Sequence, residues 1–138
     1  MNQYCYDDIY IGMADHFSVK VTENMHRGFE HISGDNNPMH IDNTYAQEMG
    51  YKQCLVYGML TASFYSTLVG VYLPGKYVIL QEVATAFNTP VYVGDTLTIT
   101  GVVDERRDKY KRIGIKAKIT NQDGILVSKA TIKVGVLR

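Results

Sequence analysis

The chain has 138 residues, of which 46% are hydrophobic and 20% are charged, and this is enough for one globular domain with a sizeable core. Its 14 basic and 14 acidic residues cancel, so the sequence disfavours polyanion binding and predicts neither a nucleic-acid nor a membrane partner. No apolar run is long enough to span a bilayer, and the N-terminus lacks the basic and apolar regions of a signal peptide. We therefore expect a single domain over residues 1–138, located in the cytoplasm.

The two cysteines and four histidines of the chain show no metal-type spacing. Cys5 and Cys54 also provide no disulfide framework, so we interpret them as reduced thiols, with packing as the expected role of Cys54. His26 and His31 have no third ligand at a zinc-like spacing and are interpreted as surface or helix-end residues. The sequence therefore predicts no metal and no cofactor.

The first predicted elements are a strand and two short helices. Residues 17–21 alternate between apolar and polar side chains, which is the period of a half-buried strand. Thr22 is a favourable N-cap for an amphipathic helix over residues 23–31. The predicted apolar face of this helix consists of Met25, Phe29 and Ile32. A second helix is predicted over residues 43–49, with Asp42 as its N-cap.

Between these helices lies a segment whose residues favour turns and oppose regular structure. Gly34 tolerates left-handed backbone angles, and Pro38 pushes Asn37 out of the helical region. A turn here can bring the Asp35 carboxylate and the His40 imidazole close enough to hold one water, as general acid-base catalysis requires. By spacing alone, a solvated loop is the commoner explanation of such a pair, since acid-base sites are inferred only probabilistically.

The second half of the chain is predicted to form one long helix followed by strands. Residues 58–72 carry apolar side chains all round the helix axis and only small hydroxyls between them, which predicts a buried helix. Alternating patterns predict strands over residues 77–89, 96–104 and 112–120, a turn at 121–124 and a final strand. The predicted inward residues of the final strand are Ala130, Ile132 and Val134. One buried helix crossed by five or six antiparallel strands is an α+β arrangement.

One longer motif changes how the Asp35 to His40 segment is interpreted. The motif consists of Phe29, Ser33, Gly34, Asp35, Asn37, Pro38, His40 and Ala46. It resembles the signature of the MaoC-like (R)-specific enoyl-CoA hydratases, with Met39 where a branched aliphatic residue is usual. The similarity continues downstream and covers about residues 17–135. It includes Val56-Tyr57-Gly58-Met59-Leu60, Leu73-Pro74-Gly75, Phe87-Asn88-Thr89-Pro90-Val91 and Gly94-Asp95.

This resemblance implies a hot-dog fold and a homodimer or higher homo-oligomer, which would also hide an unpaired sheet edge. It implies a hydratase or dehydratase of fatty acid metabolism that interconverts trans-2-enoyl and (3R)-3-hydroxyacyl thioesters of coenzyme A or acyl carrier protein. Asp35 and His40 would act on one water, and the backbone N–H of Gly58 would stabilise the thioester oxygen. Ser66 and Asn37 are further candidates for substrate contact, although Ser66 has the alternative of bonding back to its own helix.

One departure from the family and two alternative functions complete the predictions. Many relatives have His where this chain has Tyr57. We predict that Tyr57, near the head of the long helix, narrows or reshapes the acyl entrance and gives a preference for short or otherwise unusual acyl chains. A non-catalytic acyl-thioester-binding domain would be expected to lack Asp35 or His40, and both are present. A thioesterase of the same fold would need an acidic residue on the long helix, and residues 58–72 contain none.

Overall fold

A computed structural model describes residues 1–138 and contains five strands and four α-helices. The strands are β1 (Ala14–Lys20), β2 (Val78–Phe87), β3 (Thr96–Arg107), β4 (Arg112–Thr120) and β5 (Leu126–Val136). The helices are α1 (Glu23–Ser33), α2 (Pro38–Ile41), α3 (Asn43–Glu48) and α4 (Gly58–Thr67). A π-helical turn over Leu68–Tyr72 continues α4, and single 3-10 turns occur at Tyr6–Asp8 and Asp108–Tyr110. None of the helices combines the length and the apolar character needed to cross a membrane.

The strands form one antiparallel sheet in the order β1-β3-β4-β5-β2, with β1 and β2 at its edges. Alternate residues of the central strands face α4, as period-two patterning requires. These inward residues are fully buried, and they are Leu97, Ile99, Val103, Ile113, Ile115, Ile119, Ile132 and Val134. They share one apolar core with Leu60, Tyr65, Leu68 and Val69 of α4 and its π turn. The sheet therefore packs on the long helix, as predicted.

The prediction that the long helix is buried all round is wrong for one side of it. Leu60, Thr61 and Tyr65 are buried, but Met59 is 63% exposed, and Ser63 and Ser66 are also exposed. The exposed side has no charged residue. A single sheet covers only one side of a helix, so in one chain the opposite side faces outward.

The apolar face of α1 agrees with its prediction at two of the three predicted residues and differs at the third. Thr22 caps the helix, since its side chain accepts a hydrogen bond from the Met25 N–H, but Ile32 is 86% exposed. His26, which was interpreted as a surface or helix-end residue, is only 5% exposed. The helix is rotated so that His26 and Phe29, three residues apart, face the interior. Met25 and Phe29 pack against the core as predicted, so hydrophobic spacing identified the helix and most of its inward face, but it was wrong at Ile32 and missed His26.

Candidate active site

The segment that carries Asp35 is held in place by its own turn chemistry. Gly34 ends α1 in the left-handed conformation (φ 72°), and its N–H donates to the Glu30 carbonyl at 2.8 Å. The Asp35 Oδ1 then accepts a hydrogen bond from the Asn37 N–H at 3.1 Å. Asn37 is the N-cap of α2, because its Oδ1 accepts a hydrogen bond from the Met39 N–H at 2.9 Å.

The prediction that residues 34–40 contain no regular structure is wrong in part, because α2 begins at Pro38. Pro38 is the first residue of α2, where its missing N–H costs nothing because first-turn N–H groups have no intrahelical partner. His40 lies on this single turn. The turn carries His40 back toward Asp35, as the sequence predicted.

The two side chains face each other across a short gap. His40 Nε2 lies 4.0 Å from Asp35 Oδ2, with the His40 side chain 19% exposed and the Asp35 side chain 49% exposed. On the other side of the imidazole, His40 Nδ1 lies 2.8 Å from the carbonyl oxygen of Leu55. A carbonyl oxygen only accepts, so Nδ1 carries the hydrogen and, in neutral His40, Nε2 presents its lone pair toward Asp35.

This geometry suits one water between two acceptors. A water about 2.8 Å from both His40 Nε2 and Asp35 Oδ2 can donate one hydrogen to each, because hydrogen bonds of that length fit a 4.0 Å separation. Such a water would be held by both hydrogens, with an oxygen lone pair free for attack. The pair therefore has the arrangement that general acid-base catalysis needs.

An apolar cavity of about 350 Å³ lies beside His40. Its wall comprises His40, Leu55, Val56, Gly58, Thr61, Phe87, Asn88, Thr89, Pro90, Val91 and Val127. The cavity is thus bounded by the start of α4, by the end of edge strand β2 and by the segment that follows β2. One catalytic candidate and an apolar wall therefore meet in the same cavity, as expected for a site that binds a small molecule.

Gly58 opens α4 and lines this cavity together with His40. The first N–H groups of a helix have no intrahelical acceptor and carry partial positive charge, so they suit an oxygen that gains negative charge. A Cβ at position 58 would lie 3.2 Å from the Phe87 ring, which is closer than most side-chain contacts. Glycine therefore keeps the space between the helix start and Phe87 open.

Tyr57 lies at the head of α4, as predicted, but it is not part of the wall of the apolar cavity. Its side chain is 2% exposed and therefore does not narrow an entrance there. Its ring stacks on the His40 imidazole with centroids 4.0 Å apart, and its hydroxyl donates to the Asp35 carbonyl at 2.5 Å. Burial, and to a lesser degree the charges of Glu30 and Asp35, raise the pKa of the phenol above its usual 10.0. The phenol is therefore a protonated donor at neutral pH.

The other two predicted substrate contacts lie away from the cavity wall. Ser66 is exposed on the uncovered side of α4 and does not line the cavity. Asn37 uses its side-chain oxygen to cap α2, which is a structural role. Contact of either residue with substrate stays a prediction.

Two groups that contribute to the site were missed by the sequence interpretation. His26 is buried and its Nε2 donates to the His40 carbonyl at 2.8 Å, so it supports the backbone of α2. Its place three residues before Phe29, on one side of a helix, is a signal that could have identified it. The Leu55 carbonyl that orients His40 is a backbone group, and no residue type in the sequence could have indicated it.

His40 also lines a second, more polar cavity. Its wall includes Glu23, His26, Glu30, His40, Gln53 and Cys54. Burial raises the pKa of the Cys54 thiol, and the charge of Asp42 adds to the effect, so the thiol is not activated. This agrees with the packing role predicted for Cys54.

Comparisons with known proteins identify the family. The sequence model described as "MaoC like domain" matches residues 11–123. The (R)-specific enoyl-CoA hydratase of Rhodospirillum rubrum is 34% identical over 106 residues, which cover 74% of this chain and 74% of the relative. The (R)-specific enoyl-CoA hydratase of Aeromonas caviae is 36% identical over 98 residues, covering 71% of this chain and 73% of the relative.

The fold is also that of a solved hydratase. The structure of the (R)-hydratase from A. caviae involved in PHA biosynthesis matches with a TM-score of 0.88 and 30% identity, covering 93% of this chain and 97% of that one. This confirms the hot-dog fold that the sequence resemblance implied. The chain belongs to the MaoC-like family of hydratases and dehydratases.

Proposed function

We propose that this protein is an (R)-specific hydratase that interconverts trans-2-enoyl thioesters and (3R)-3-hydroxyacyl thioesters, carried on coenzyme A or acyl carrier protein. The observation that carries the proposal is the 4.0 Å separation of Asp35 Oδ2 and His40 Nε2, with His40 in the wall of an apolar cavity. The (R) preference and the thioester substrate follow from the relatives, which bear these terms in their names.

In the hydration direction, Asp35 and His40 hold one water against the β-carbon of the enoyl group. The water oxygen forms a bond to that carbon while one of its O–H bonds breaks, and the pair takes the released proton. The electrons of the double bond move toward the thioester carbonyl, and the α-carbon then receives one proton from the pair. The pair ends in the protonation state in which it began, so no co-reactant is needed.

The orientation of His40 assigns it the first proton transfer. Because its Nδ1–H is committed to the Leu55 carbonyl, its Nε2 lone pair is the free base that faces the water. Asp35 accepts the second hydrogen of the same water and stabilises the imidazolium that forms. Proton transfer of this kind contributes about a hundredfold to ten-thousandfold to rate.

Negative charge on the thioester oxygen requires a donor on the other side of the reacting carbons. The N–H of Gly58 lies at the head of α4 in the same cavity wall as His40, and a helix start favours negative charge. The apolar side chains of the wall, which include Val56 and Val127, suit the acyl chain. Water, carbonyl and chain would thus occupy three sides of one cavity.

The two alternative functions have less support. A non-catalytic thioester-binding domain would not need an acid and a base that face each other, and Asp35 and His40 do so. A thioesterase of this fold would need an acid on α4, whose ten residues include none.

We further propose that two copies associate through the uncovered side of α4 and strand β2. The β2 residues Leu80, Val83 and Phe87 pair with buried residues of β5, yet they are 41%, 36% and 51% exposed, although the Phe87 ring also lies beside Gly58 at the start of α4. An exposed apolar edge strand invites pairing with another chain. Met59, which is 63% exposed near the start of α4, adds a further exposed apolar side chain.

The deciding experiment is an assay of the purified protein with crotonyl-CoA and longer enoyl thioesters. Loss of the enoyl absorbance would be followed over time, and the product enantiomer would be resolved by chiral chromatography. We expect (3R)-3-hydroxyacyl product from the wild type and a large loss of rate in Asp35→Asn. Binding of the thioester without turnover would contradict the proposal and favour the binding domain.

A further inference from the structure

Tyr57 touches both members of the proposed catalytic pair. Its ring stacks on the imidazole of His40, with centroids 4.0 Å apart and planes inclined by 27°. Its hydroxyl donates to the backbone carbonyl of Asp35 at 2.5 Å. Asp35 and His40 lie on different segments, one in the turn after α1 and one on α2. A single side chain therefore ties the two segments together.

Tyr57 is itself held by two residues of α1. The rings of His26 and Phe29 lie against it, with centroid separations of 4.8 Å and 5.1 Å. His26 Nε2 also donates to the His40 carbonyl at 2.8 Å, because a carbonyl oxygen can only accept. The imidazole of His40 is thus fixed by the Leu55 carbonyl at its edge and by the Tyr57 ring on its face, while its backbone is fixed by His26.

The electrostatics of the phenol agree with a permanent donor role. Tyr57 is 2% exposed, and burial raises the pKa of its phenol above 10.0. The hydroxyl therefore keeps its hydrogen at any pH where the enzyme would work. Tyr57 also directly precedes Gly58, so its position and that of the proposed oxyanion donor are set by the same turn of chain.

We infer that Tyr57, supported by His26, is a positioning residue that sets the separation and orientation of Asp35 and His40. The inference rests on the proposed hydratase function and names the side chains that hold its catalytic pair. Tyr57 does not touch the apolar cavity, so it acts through the pair and not through the substrate. Misplacement of a catalytic group by about 1 Å costs on the order of a hundredfold in rate.

The central test is Tyr57→Phe, which keeps the ring and removes only the hydroxyl that binds the Asp35 carbonyl. We expect kcat to fall by roughly tenfold to a hundredfold, with little change in KM, because the cavity wall is untouched. We also expect the pH profile of kcat/KM to change, since the two titrating groups no longer keep their spacing.

The matched control is Tyr65→Phe. Tyr65 lies on α4, the helix that Tyr57 directly precedes, and it is fully buried. Its hydroxyl makes a 2.8 Å hydrogen bond to Ser128, which is distant in sequence from Asp35 and His40. Both variants lose one buried phenol hydrogen bond, so both should melt at a lower temperature than the wild type. Only Tyr57→Phe should lower kcat. Equal effects of the two variants on kcat would show a merely structural role and overturn the inference.

A second test uses His26, whose Nε2–H donates to the His40 carbonyl. His26→Leu should lower kcat by loosening α2, while His26→Gln keeps an N–H donor and should restore part of the loss. Should His26→Leu fail to fold, Tyr57→Phe still decides the question. Wild-type kcat and pH profile in a folded Tyr57→Phe protein would overturn the inference even if the hydratase function stands.

A spectroscopic measurement separates this inference from the proposed function. The imidazole resonances of His40 in NMR depend on the ring that stacks on it and on the nearby carboxylate. They should shift in Tyr57→Phe and stay in place in Tyr65→Phe, whether or not an enoyl thioester is turned over. Absence of hydratase activity in the wild type would contradict only the proposed function. Unchanged His40 resonances in Tyr57→Phe would contradict the positioning role of Tyr57.

Discussion

Two regions of the molecule, residues 22–58 and the sheet with the apolar core, are held by different interactions. On the side of residues 22–58, short helices and turns are held by polar side chains that bond to nearby backbone groups, as Thr22, Asn37 and Asp42 do. On the side of the sheet, the contacts are apolar and fully buried, as at Ile99 and Ile132. The polar side carries the candidate catalytic pair, and the apolar side carries most of the core.

This difference suggests that turnover and stability are separable in this protein. Hydrogen bonds within turns orient groups but contribute little net free energy, whereas burial of apolar area dominates stability. Substitutions on the polar side should therefore reduce activity more than stability, and those on the apolar side should do the reverse. Each prediction below tests one part of that separation.

The largest effect is expected at the catalytic pair. Asp35→Asn and His40→Gln should each lower kcat/KM by about a hundredfold to ten-thousandfold, because each removes a proton-transfer group. Thermal melts should stay near the wild type, since Asn is itself a turn former and Gly34 and Pro38 still shape the segment. Near-normal hydration in a folded single variant would remove that residue from the mechanism.

The double variant sharpens the same comparison. If Asp35 and His40 act on one water, the double variant should lose far less than the product of the two single losses, because groups that act as a unit are non-additive. The measurement is kcat/KM for both single variants and the double variant under one set of conditions. Strictly multiplicative losses would mean that the two groups act in independent steps.

Gly58 lies where the two sides meet. Gly58→Ala would place a Cβ 3.2 Å from the Phe87 ring, so the ring or the helix start must move within the cavity wall. We expect kcat/KM to fall by up to about a hundredfold. Gly28→Ala in α1 is the matched control, because a Cβ there meets nothing within 4 Å. Activity loss in Gly28→Ala comparable with that in Gly58→Ala would show a general helix effect.

The next prediction tests whether the exposed apolar residues of β2 form an interface between two copies. We expect a dimeric mass in light scattering at micromolar concentration, and a shift toward monomer in Val83→Lys, since a buried unpaired charge is costly. Val102→Lys is the control, because Val102 is 37% exposed, close to the 36% of Val83, but on the outer face of β3. A monomeric wild type would rule out the proposed association.

A substitution at Gly101 should lower stability and leave activity unchanged. A Cβ there would lie 2.8 Å from Leu68 Cδ2 and 3.1 Å from Ile115 Cγ2, both on fully buried side chains that have no room to move away. Gly101→Ala should therefore lower the free energy of unfolding by about 1–3 kcal/mol, while kcat of the folded protein is retained. Urea unfolding and the hydration assay would measure the two effects. A large fall in kcat would show that the two sides are coupled.

The smallest effect is a loss of stability at high pH. Burial raises the pKa of Tyr57 and Tyr65 above 10.0 in the folded protein, so the unfolded chain ionises first. The contribution of these phenols is complete below pH 10 and is lost as the pH rises through the folded-state pKa. Tyr65→Phe should reduce this loss in urea unfolding between pH 8 and 11. Tyr110→Phe should not, because Tyr110 is 63% exposed.

Much of the fold could be predicted from periodicity, because periodicity is a local property. The strand over residues 112–120 and the inward residues Ala130, Ile132 and Val134 agree with the structure. The predicted cap of Asp42 is also confirmed, since its side chain accepts from the Tyr45 N–H at 3.1 Å. Each of these features depends on residues that are neighbours in the chain, and alternation or capping chemistry makes such features visible.

The sequence by itself determined the strands, the long helix, the turn at Asp35 and the family motif, because all of these follow from residues close together in the chain. Only the tertiary structure decided the limits of the inward face of α1, and therefore that His26 is buried while Ile32 is exposed. It also decided that Tyr57 lies against His40 and that the Leu55 carbonyl orients the imidazole. These contacts join segments 14 to 22 residues apart, and their geometry depends on how the elements pack.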